Sequence, residues 1–301
     1  MKTLAPSKKP VITNKVQAVL LLLLLSLIWG SSFILIKKSL LAFTPLEVGT
    51  GRVFFGFTGI ILIGMKELRQ IPLKTWKHIV VAGLIGNLFP ALLFAVAVTG
   101  LESSVTGILN AMTPLFTFVL GVLFFQYKFQ WKQLYGLMIA LAGTLLISFI
   151  NANGNIGSFN EYALLVILAT VLYAINGHYI KKYLSEMPSV RVSVGIMSTI
   201  GIPMFFVLLF SGFFSKVGTH PEGVSSLVYL MILGCVGTGF AVLIFNYLIK
   251  IAPVVFVSTV TFLIPIVALA WGYLDNEAFS VWHMGCMLMI LSGVYLVNRF
   301  S

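Results

Sequence analysis

Two short stretches, IWGSSFILIKK at residues 28–38 and LYAINGHYIKK at residues 172–182, decide the fold. Each interrupts an apolar run with an aromatic residue and a polar one, and each ends in Ile-Lys-Lys. Aligned on one another, they pair Trp29 with Tyr173 and Ser32 with Asn176. Residues three apart share a helix face, so both stretches predict a helix that shows a ring and a hydrogen-bonding group on one side.

The match continues along the rest of the chain in the same order. Further pairs are Gly86 with Gly237, Phe94 with Phe245, Pro114 with Pro265, Gly121 with Gly272, Trp131 with Trp282 and Gly143 with Gly293. Each pair alone is weak evidence, but the ordered set indicates an internal repeat. We therefore predict two copies of one unit, at 17–150 and 160–298, after a cytoplasmic tail at 1–16.

Composition places these copies in a membrane. Hydrophobic residues make up 59% of the 301 residues and charged residues 9%, whereas soluble domains carry about 25% charged residues. A soluble fold cannot hide so much apolar surface, because most of its own surface still meets water.

Charged residues divide the chain into uncharged runs of roughly membrane-spanning length. These runs are 16–36, 53–65, 78–101, 103–127, 133–160, 162–180, 192–215, 223–249, 251–274 and 278–298. A helix crosses the hydrocarbon in about 20 residues, so the short run 53–65 must extend back through Arg52. We predict an all-α integral membrane protein with ten transmembrane helices, five in each copy.

An odd number of spans inverts the second copy relative to the first. Two inverted five-helix repeats are typical of transporters, whose substrate site lies near the midplane where the repeats meet. With the N-terminus in the cytoplasm, most of the 19 basic residues fall in cytoplasmic segments. This positive-inside bias predicts a multi-pass protein with both termini cytoplasmic, and it argues against a nucleic-acid surface, which would gather the basic residues on one face.

The fourth span carries a polar stripe of Thr106, Asn110, Thr113 and Thr117 on one helix face. The stripe could line a translocation pathway. Alternatively, its hydroxyls allow close helix packing and bond the carbonyl four residues earlier, which is the favoured interpretation for the threonines. Asn110 is expected in a cavity because a lipid-facing amide is costly.

Three further residues stand out within the spans. Pro114 and Pro265 lie mid-span at matched positions, where they predict a hinge or cavity wall or, equally, simple kinks. Arg52 is the charge placed clearly inside a span. It could bind an anionic group such as a carboxylate, but snorkelling to the surface or pairing with Glu47 is the favoured expectation.

The sequence lacks the motifs of common catalytic and cofactor sites. It has no G-x-x-x-x-G-K-[ST] loop, no H-E-x-x-H or paired-cysteine motif and no G-x-S-x-G nucleophile elbow. No acidic residue lies deep in a predicted span. We therefore expect no enzyme activity, no catalytic residue, no cofactor and no metal.

The features that carry a family resemblance are ten short-looped helices in two repeats, the early IWGSSF, an arginine in the second span (TGRVFFGF) and mid-span prolines in the fourth and ninth spans. By these features the chain resembles the drug/metabolite transporter superfamily, in particular its EamA-type branch. The resemblance implies a bacterial inner-membrane secondary transporter that exports an amino acid or related small metabolite by alternating access. It implies a substrate site on the inward faces of the first, third, fourth, sixth, eighth and ninth spans. The candidates there are Trp29, Ser32, Asn110, Thr113, Tyr173, Asn176, Asn246 and Thr261.

Expected partners are the small-molecule substrate and membrane lipids, with a monomer or weak homodimer as the assembly and no nucleic acid. The alternative is a non-transporting membrane protein, such as a receptor or a lipid-handling protein, which the hydrophobicity alone fits equally well. That alternative predicts polar residues clustered at one interface around chemically active groups. The sequence shows no such cluster, so the transporter is favoured.

Overall fold

The computed structural model describes residues 15–101, 106–107, 109–149, 161–274 and 281–300. These residues form helices joined by turns, and no strand occurs among them, which bears out the all-α expectation for this part of the chain. The predicted tail at 1–16, apart from its last two residues, lies outside the described residues, as does most of the predicted linker between the two copies.

Ten long helical stretches follow one another within the described residues. They are α1 Lys15–Ser39, α2 Pro45–Leu68, α3 Leu73–Gly100, α4 Asn110–Phe124, α5 Trp131–Phe149, α6 Tyr162–Tyr183, α7 Ser189–Phe210, α8 Gly223–Ile251, α9 Val254–Leu274 and α10 Val281–Phe300. Seven of them, α1–α3 and α6–α9, are long and apolar enough to cross a membrane, whereas α4, α5 and α10 adjoin residues outside the description. The chain is thus a multi-pass helical membrane protein.

Two of the long helices change their winding near the middle, at positions that the sequence repeat matches. A π-helical turn covers Leu84–Leu88 in α3, and another covers Cys235–Phe240 in α8. Gly86 and Gly237, which are paired in the repeat, lie inside these two turns. Single π-turns inside α-helices are rare and frequently occur at functional sites.

Contacts between the two halves come in exchanged sets. Helix α2 packs along α7, and α5 packs along α10. Helix α1 packs on α8 and α9, while α6, its counterpart in the second half, packs on α3 and α4. Each of these contacts therefore has an equivalent in which the roles of the two halves are swapped.

Helices α1 and α6, the first helices of the two halves, run in opposite directions. Gln17, near the start of α1, lies within 3.5 Å of the Tyr247 hydroxyl close to the end of α8. Lys181, near the end of α6, donates to the main-chain oxygens of Ile249 and Ala252 at that same end of α8. The start of α1 and the end of α6 consequently share one face of the molecule.

Glycines allow the helices that cross between halves to approach closely. A β-carbon on Gly293 of α10 would lie 2.5 Å from the backbone nitrogen of Ala140 on α5. A β-carbon on Gly239 of α8 would lie 2.4 Å from the carbonyl oxygen of Gly56 on α2. Small residues at such crossings are characteristic of helix packing in membranes, where close van der Waals contact holds helices together.

Candidate functional site

A cavity lies between the two halves and is lined by α1, α2, α3, α4, α6, α8 and α9. It offers about 80 Å³ to the centres of water-sized spheres, and a single water needs roughly 10–15 Å³ on that measure. Among the described residues, α5, α7 and α10 contribute nothing to its wall. The cavity thus has room for several waters or a small solute.

Every residue expected at the substrate site lines this one cavity: Trp29, Ser32, Asn110, Thr113, Tyr173, Asn176, Asn246 and Thr261. The helices that carry them are the first, fourth, sixth, eighth and ninth. Two pairs that the sequence repeat matches, Trp29 with Tyr173 and Ser32 with Asn176, are among them.

Other polar and aromatic residues, to which the sequence analysis assigned no site role, also line the cavity: Phe33, Asn87, Phe94, Thr238, Phe245 and Ser258. Asn87 and Thr238 lie in the two π-turns, whose extra residue shifts the helical phase that periodicity assumes. Phe94 and Phe245 already stood out as a matched pair, and that pairing was the signal that could have found them.

Two aromatic pairs flank the cavity in equivalent places. The rings of Trp29 and Phe245 lie 5.5 Å apart, and those of Tyr173 and Phe94 lie 6.0 Å apart. The repeat matches Trp29 with Tyr173 and Phe94 with Phe245, so each pair joins one half to the other. The indole nitrogen of Trp29 also donates to the carbonyl of Gly237 in the α8 π-turn at 3.1 Å.

The six serine and threonine hydroxyls of the wall donate to carbonyls of their own helices. The bonds run from Ser32 to Ile28, Thr113 to Asn110, Thr117 to Thr113, Thr238 to Leu233, Ser258 to Val255 and Thr261 to Ser258. A carbonyl can only accept, so each hydroxyl has given its one proton and keeps only lone pairs. The backbone bonding expected of Thr113 and Thr117 is therefore present, and both residues line the cavity as well.

Arg52 reaches the cavity from α2, and neither favoured expectation for it holds. Its side chain is buried, with 9% exposure, so it does not snorkel, and its Nε donates to the Thr238 hydroxyl at 2.8 Å. Glu47 instead forms a capping box with Thr44 at the start of α2 and an ion pair with Lys216 at 2.8 Å. The expected Arg52–Glu47 pair is absent because five positions on a helix turn the two side chains to different faces.

Two asparagine amides in the wall keep an oxygen without a partner. Asn246 donates its Nδ2 to the Ser193 hydroxyl at 2.8 Å, while its Oδ1 is buried and unbonded. The Oδ1 of Asn176 is likewise buried and unbonded. Asn176 packs directly on the π-turn of α3, where a β-carbon on Gly86 would lie 1.9 Å from its Nδ2.

The other singled-out residues, Pro114, Pro265 and Thr106, do not line the cavity. Pro114 is buried at the start of the regular part of α4, just after the 3₁₀ turn Asn110–Met112, and Pro265 lies inside α9. Thr106 is fully buried away from the cavity wall. Among the described residues, no cluster of three or more His, Cys, Asp or Glu side chains could hold a metal ion.

Comparison with known proteins gives matches over nearly the whole chain. The model of the EamA-like transporter family matches residues 16–149 and, separately, residues 160–299. An uncharacterized transporter of Bacillus subtilis, YcxC, is 27% identical over 287 residues, which cover 90% of this chain and 89% of that protein. A probable amino-acid metabolite efflux pump of Salmonella typhimurium is 23% identical over 294 residues, 93% of this chain and 94% of that protein.

One solved crystal structure superposes with a TM-score of 0.73 at 18% identity, covering 95% of this chain and 98% of the other. At that identity the likeness shows the fold alone. The family and both relatives are described as transporters or efflux pumps and not as enzymes.

Proposed function

The chain belongs to the EamA-like transporter family, and from that premise we propose that it is a secondary transporter of a small organic metabolite. It moves its solute across a bacterial inner membrane by alternating access, and its direction is export. The observation that carries the proposal is the cavity between the halves, whose lining includes residue pairs that the sequence repeat matches, such as Trp29 with Tyr173 and Ser32 with Asn176.

The architecture proposed for this function is ten transmembrane spans in two inverted five-helix repeats. The opposite directions of α1 and α6 support the inversion. The exchanged helix contacts and the matched π-turns support a repeat with twofold pseudosymmetry. The double match of the family model, once in each half, supports the same division.

Such symmetry supplies a physical basis for alternating access. Two similar halves that differ in conformation can exchange those conformations, and the exchange moves the opening of a shared cavity from one side of the membrane to the other. The Lys216–Glu47 pair joins the halves at one end of α2, and the Arg191–Glu67 pair joins them at the other. Under the proposed topology, with both termini cytoplasmic, the first lies outside and the second in the cytoplasm.

The substrate class proposed is an amino acid or a related metabolite. The described function of the Salmonella relative, a probable amino-acid metabolite efflux pump, supports this class and the export direction. The small cavity, with its mixture of amide, hydroxyl and aromatic groups, fits a compact polar solute.

Transport by the purified protein tests the proposal. The protein is reconstituted into liposomes loaded with an amino acid or related metabolite from a panel. Exchange with the same solute in labelled form is then measured and compared with that of loaded liposomes without protein. We expect at least one solute to exchange faster in the presence of the protein. Folded protein that accelerates no solute in the panel would leave the receptor or lipid-handling alternative as the better account.

A matched pair of variants links any transport to the cavity. Gly86→Ala places a methyl group where the Asn176 amide lies and should reduce exchange. Gly285→Ala is the control, because a β-carbon there meets nothing within 4 Å, and it should exchange solute like the unmodified protein.

A further inference from the structure

We propose that the cavity selects a zwitterionic solute by binding its two oppositely charged groups. Arg52 binds the carboxylate, and the hydrogen-bond acceptors of the wall bind the protonated amine. This inference rests on the proposed function and specifies which chemical groups the same site recognises. It assigns Arg52 the carboxylate-binding role that the sequence left open, in place of the surface or ion-pair role that the sequence favoured.

The first observation is a buried positive charge whose counter-ion is missing. Among the described residues, Arg52 makes one side-chain hydrogen bond, from Nε to Thr238, and contacts no carboxylate. Its two terminal nitrogens carry four N–H groups, and none of these donates a hydrogen bond to another described residue. An unpaired buried charge is strongly unfavourable, so an anion in the cavity removes a penalty that the protein alone leaves in place.

The charge balance of the wall defines the kind of anion. Among the described residues that line the cavity, Arg52 is the one charged side chain, so this part of the wall carries a single positive charge. A guanidinium fork matches a carboxylate in a bidentate geometry. A phosphate dianion would bring two negative charges into a buried site that neutralises one.

The second observation is a wall rich in free acceptors. The six serine and threonine hydroxyls of the wall already donate their protons to backbone carbonyls, so toward a ligand their lone pairs can only accept. The Thr238 oxygen already accepts from Arg52, and the other five have no such partner among the described hydrogen bonds. A protonated amine has three N–H donors and no acceptor, so it is the group that satisfies such lone pairs without adding an unmatched acceptor.

The hydrogen-bond network also fixes which atom of Asn246 is free. The Ser193 hydroxyl donates to the carbonyl of Ser189 at 2.8 Å, so toward Asn246 it can only accept. Nδ2 must therefore point to Ser193, and Oδ1 is the atom without a partner. Asn176 adds a second unpaired oxygen. Rotation of the Asn176 amide about χ2, a torsion with broad minima, turns this oxygen toward the cavity, whereas the Asn246 amide is held by its bond to Ser193.

Both groups of the solute are needed, which gives the proposal a sharp consequence. An amino-acid amide lacks the carboxylate and leaves Arg52 without a counter-ion. A deaminated acid pairs Arg52 but leaves the acceptor wall without donors. Sites built to hydrogen-bond a polar group discriminate strongly against analogues that lack it, so we expect each truncated analogue to bind about tenfold or more weakly.

Solute-induced thermal stabilisation of the purified protein tests this consequence. The probes are alanine, threonine and leucine, each compared with its amide, its deaminated acid and its decarboxylated amine. We expect at least one amino acid to raise the melting temperature at concentrations about tenfold or more below those its three analogues require. Equal binding of an amide and its parent amino acid, or no binding by any amino acid in the set, would overturn the proposal.

Variants locate the selectivity at Arg52. Arg52→Gln should abolish the preference for the acid over the amide, and Arg52→Lys, which keeps the charge but not the fork, should retain part of it. Arg191→Gln is the matched control, since Arg191 pairs with Glu67 outside the cavity, and it should keep the full preference. An Arg52→Gln protein with unchanged preference contradicts the assignment, and if that variant does not fold, Arg52→Lys and the analogue series decide.

The inference and the proposed function fail in different ways. Liposome transport of a solute that lacks the carboxylate or the amine would refute the zwitterion rule, and the proposed transport function would still stand. Binding of amino acids without any transport would refute the transporter and leave the recognition rule standing.

Discussion

Replacing Gly239 by alanine should push α2 and α8 apart at the point where they hold Arg52. The added β-carbon would lie 2.4 Å from the Gly56 carbonyl oxygen, whereas ordinary van der Waals contact needs about 3.4 Å, so the helices must separate by about 1 Å. Thr238 precedes Gly239 on α8, and Arg52 shares α2 with Gly56. The 2.8 Å hydrogen bond between Arg52 and Thr238 would then stretch to about 3.8 Å, beyond hydrogen-bond range.

Two readouts follow from that displacement. Overpacking of this kind costs about 1–3 kcal/mol, which corresponds to a fall in melting temperature of roughly 2–12 °C at about 2–4 °C per kcal/mol. The binding of any solute that stabilises the unmodified protein should also weaken, because Arg52 loses the contact that orients it. Tryptophan fluorescence during heating in detergent, with and without solute, measures both effects.

Gly285→Ala is the control for this experiment. It makes the same chemical change on α10, where the new β-carbon meets nothing within 4 Å, so it accounts for the intrinsic gain of about 0.5–1 kcal/mol when alanine replaces a helical glycine. If Gly239→Ala unfolds at the same temperature as this control and binds solute equally well, the close contact between the α8 π-turn and α2 is refuted.

Three other substitutions test contacts between separate parts of the chain, all by thermal unfolding. Lys216→Met should destabilise the protein by about 1–3 kcal/mol because it leaves the buried carboxylate of Glu47 without its cation; no loss would mean that the pair is not formed. Gly293→Ala should also cost about 1–3 kcal/mol, since its β-carbon would lie 2.5 Å from the backbone nitrogen of Ala140, and a neutral effect would contradict the tight crossing of α5 and α10. Lys181→Met removes the donor to the last carbonyls of α8 and should cost about 1–2 kcal/mol, with partial recovery in Lys181→Arg.

Local sequence features were sufficient to identify much of the cavity wall. The three-residue spacing of Trp29 and Ser32, and its repetition at Tyr173 and Asn176, depend only on helical periodicity and on the internal repeat. Both patterns are retained in the structure, where these four side chains line the same cavity. The side chain of Asn110 was predictable for a similar reason, since an amide in an apolar span must find a polar environment.

Features that depend on contacts between distant segments could not be predicted in the same way. The partner of Arg52 is Thr238, which lies in the π-turn of α8, far from Arg52 in the sequence. Glu47 lies near Arg52 in the sequence, yet its partner Lys216 comes from the segment between α7 and α8. Proximity along the chain suggested the wrong ion pair because tertiary packing, rather than spacing within one helix, brings the buried charges to their partners.

Thr113 and Thr117 show a limit of a different kind. Their spacing fitted both a packing role and a cavity role, and the structure shows the hydroxyl proton bonded within the helix while the residue lines the cavity. The two interpretations were not exclusive, because a hydroxyl has lone pairs left after it donates.

Access to one cavity residue from both sides of the membrane tests the central claim of alternating access most directly. Ser32→Cys, in a background where Cys235 and Cys286 are replaced by alanine, places a single thiol in the cavity wall. A membrane-impermeant thiol reagent is applied from either side of oriented vesicles. The account predicts labelling from both sides, slowed on each by a transported solute; labelling from one side alone, or from neither, would contradict it.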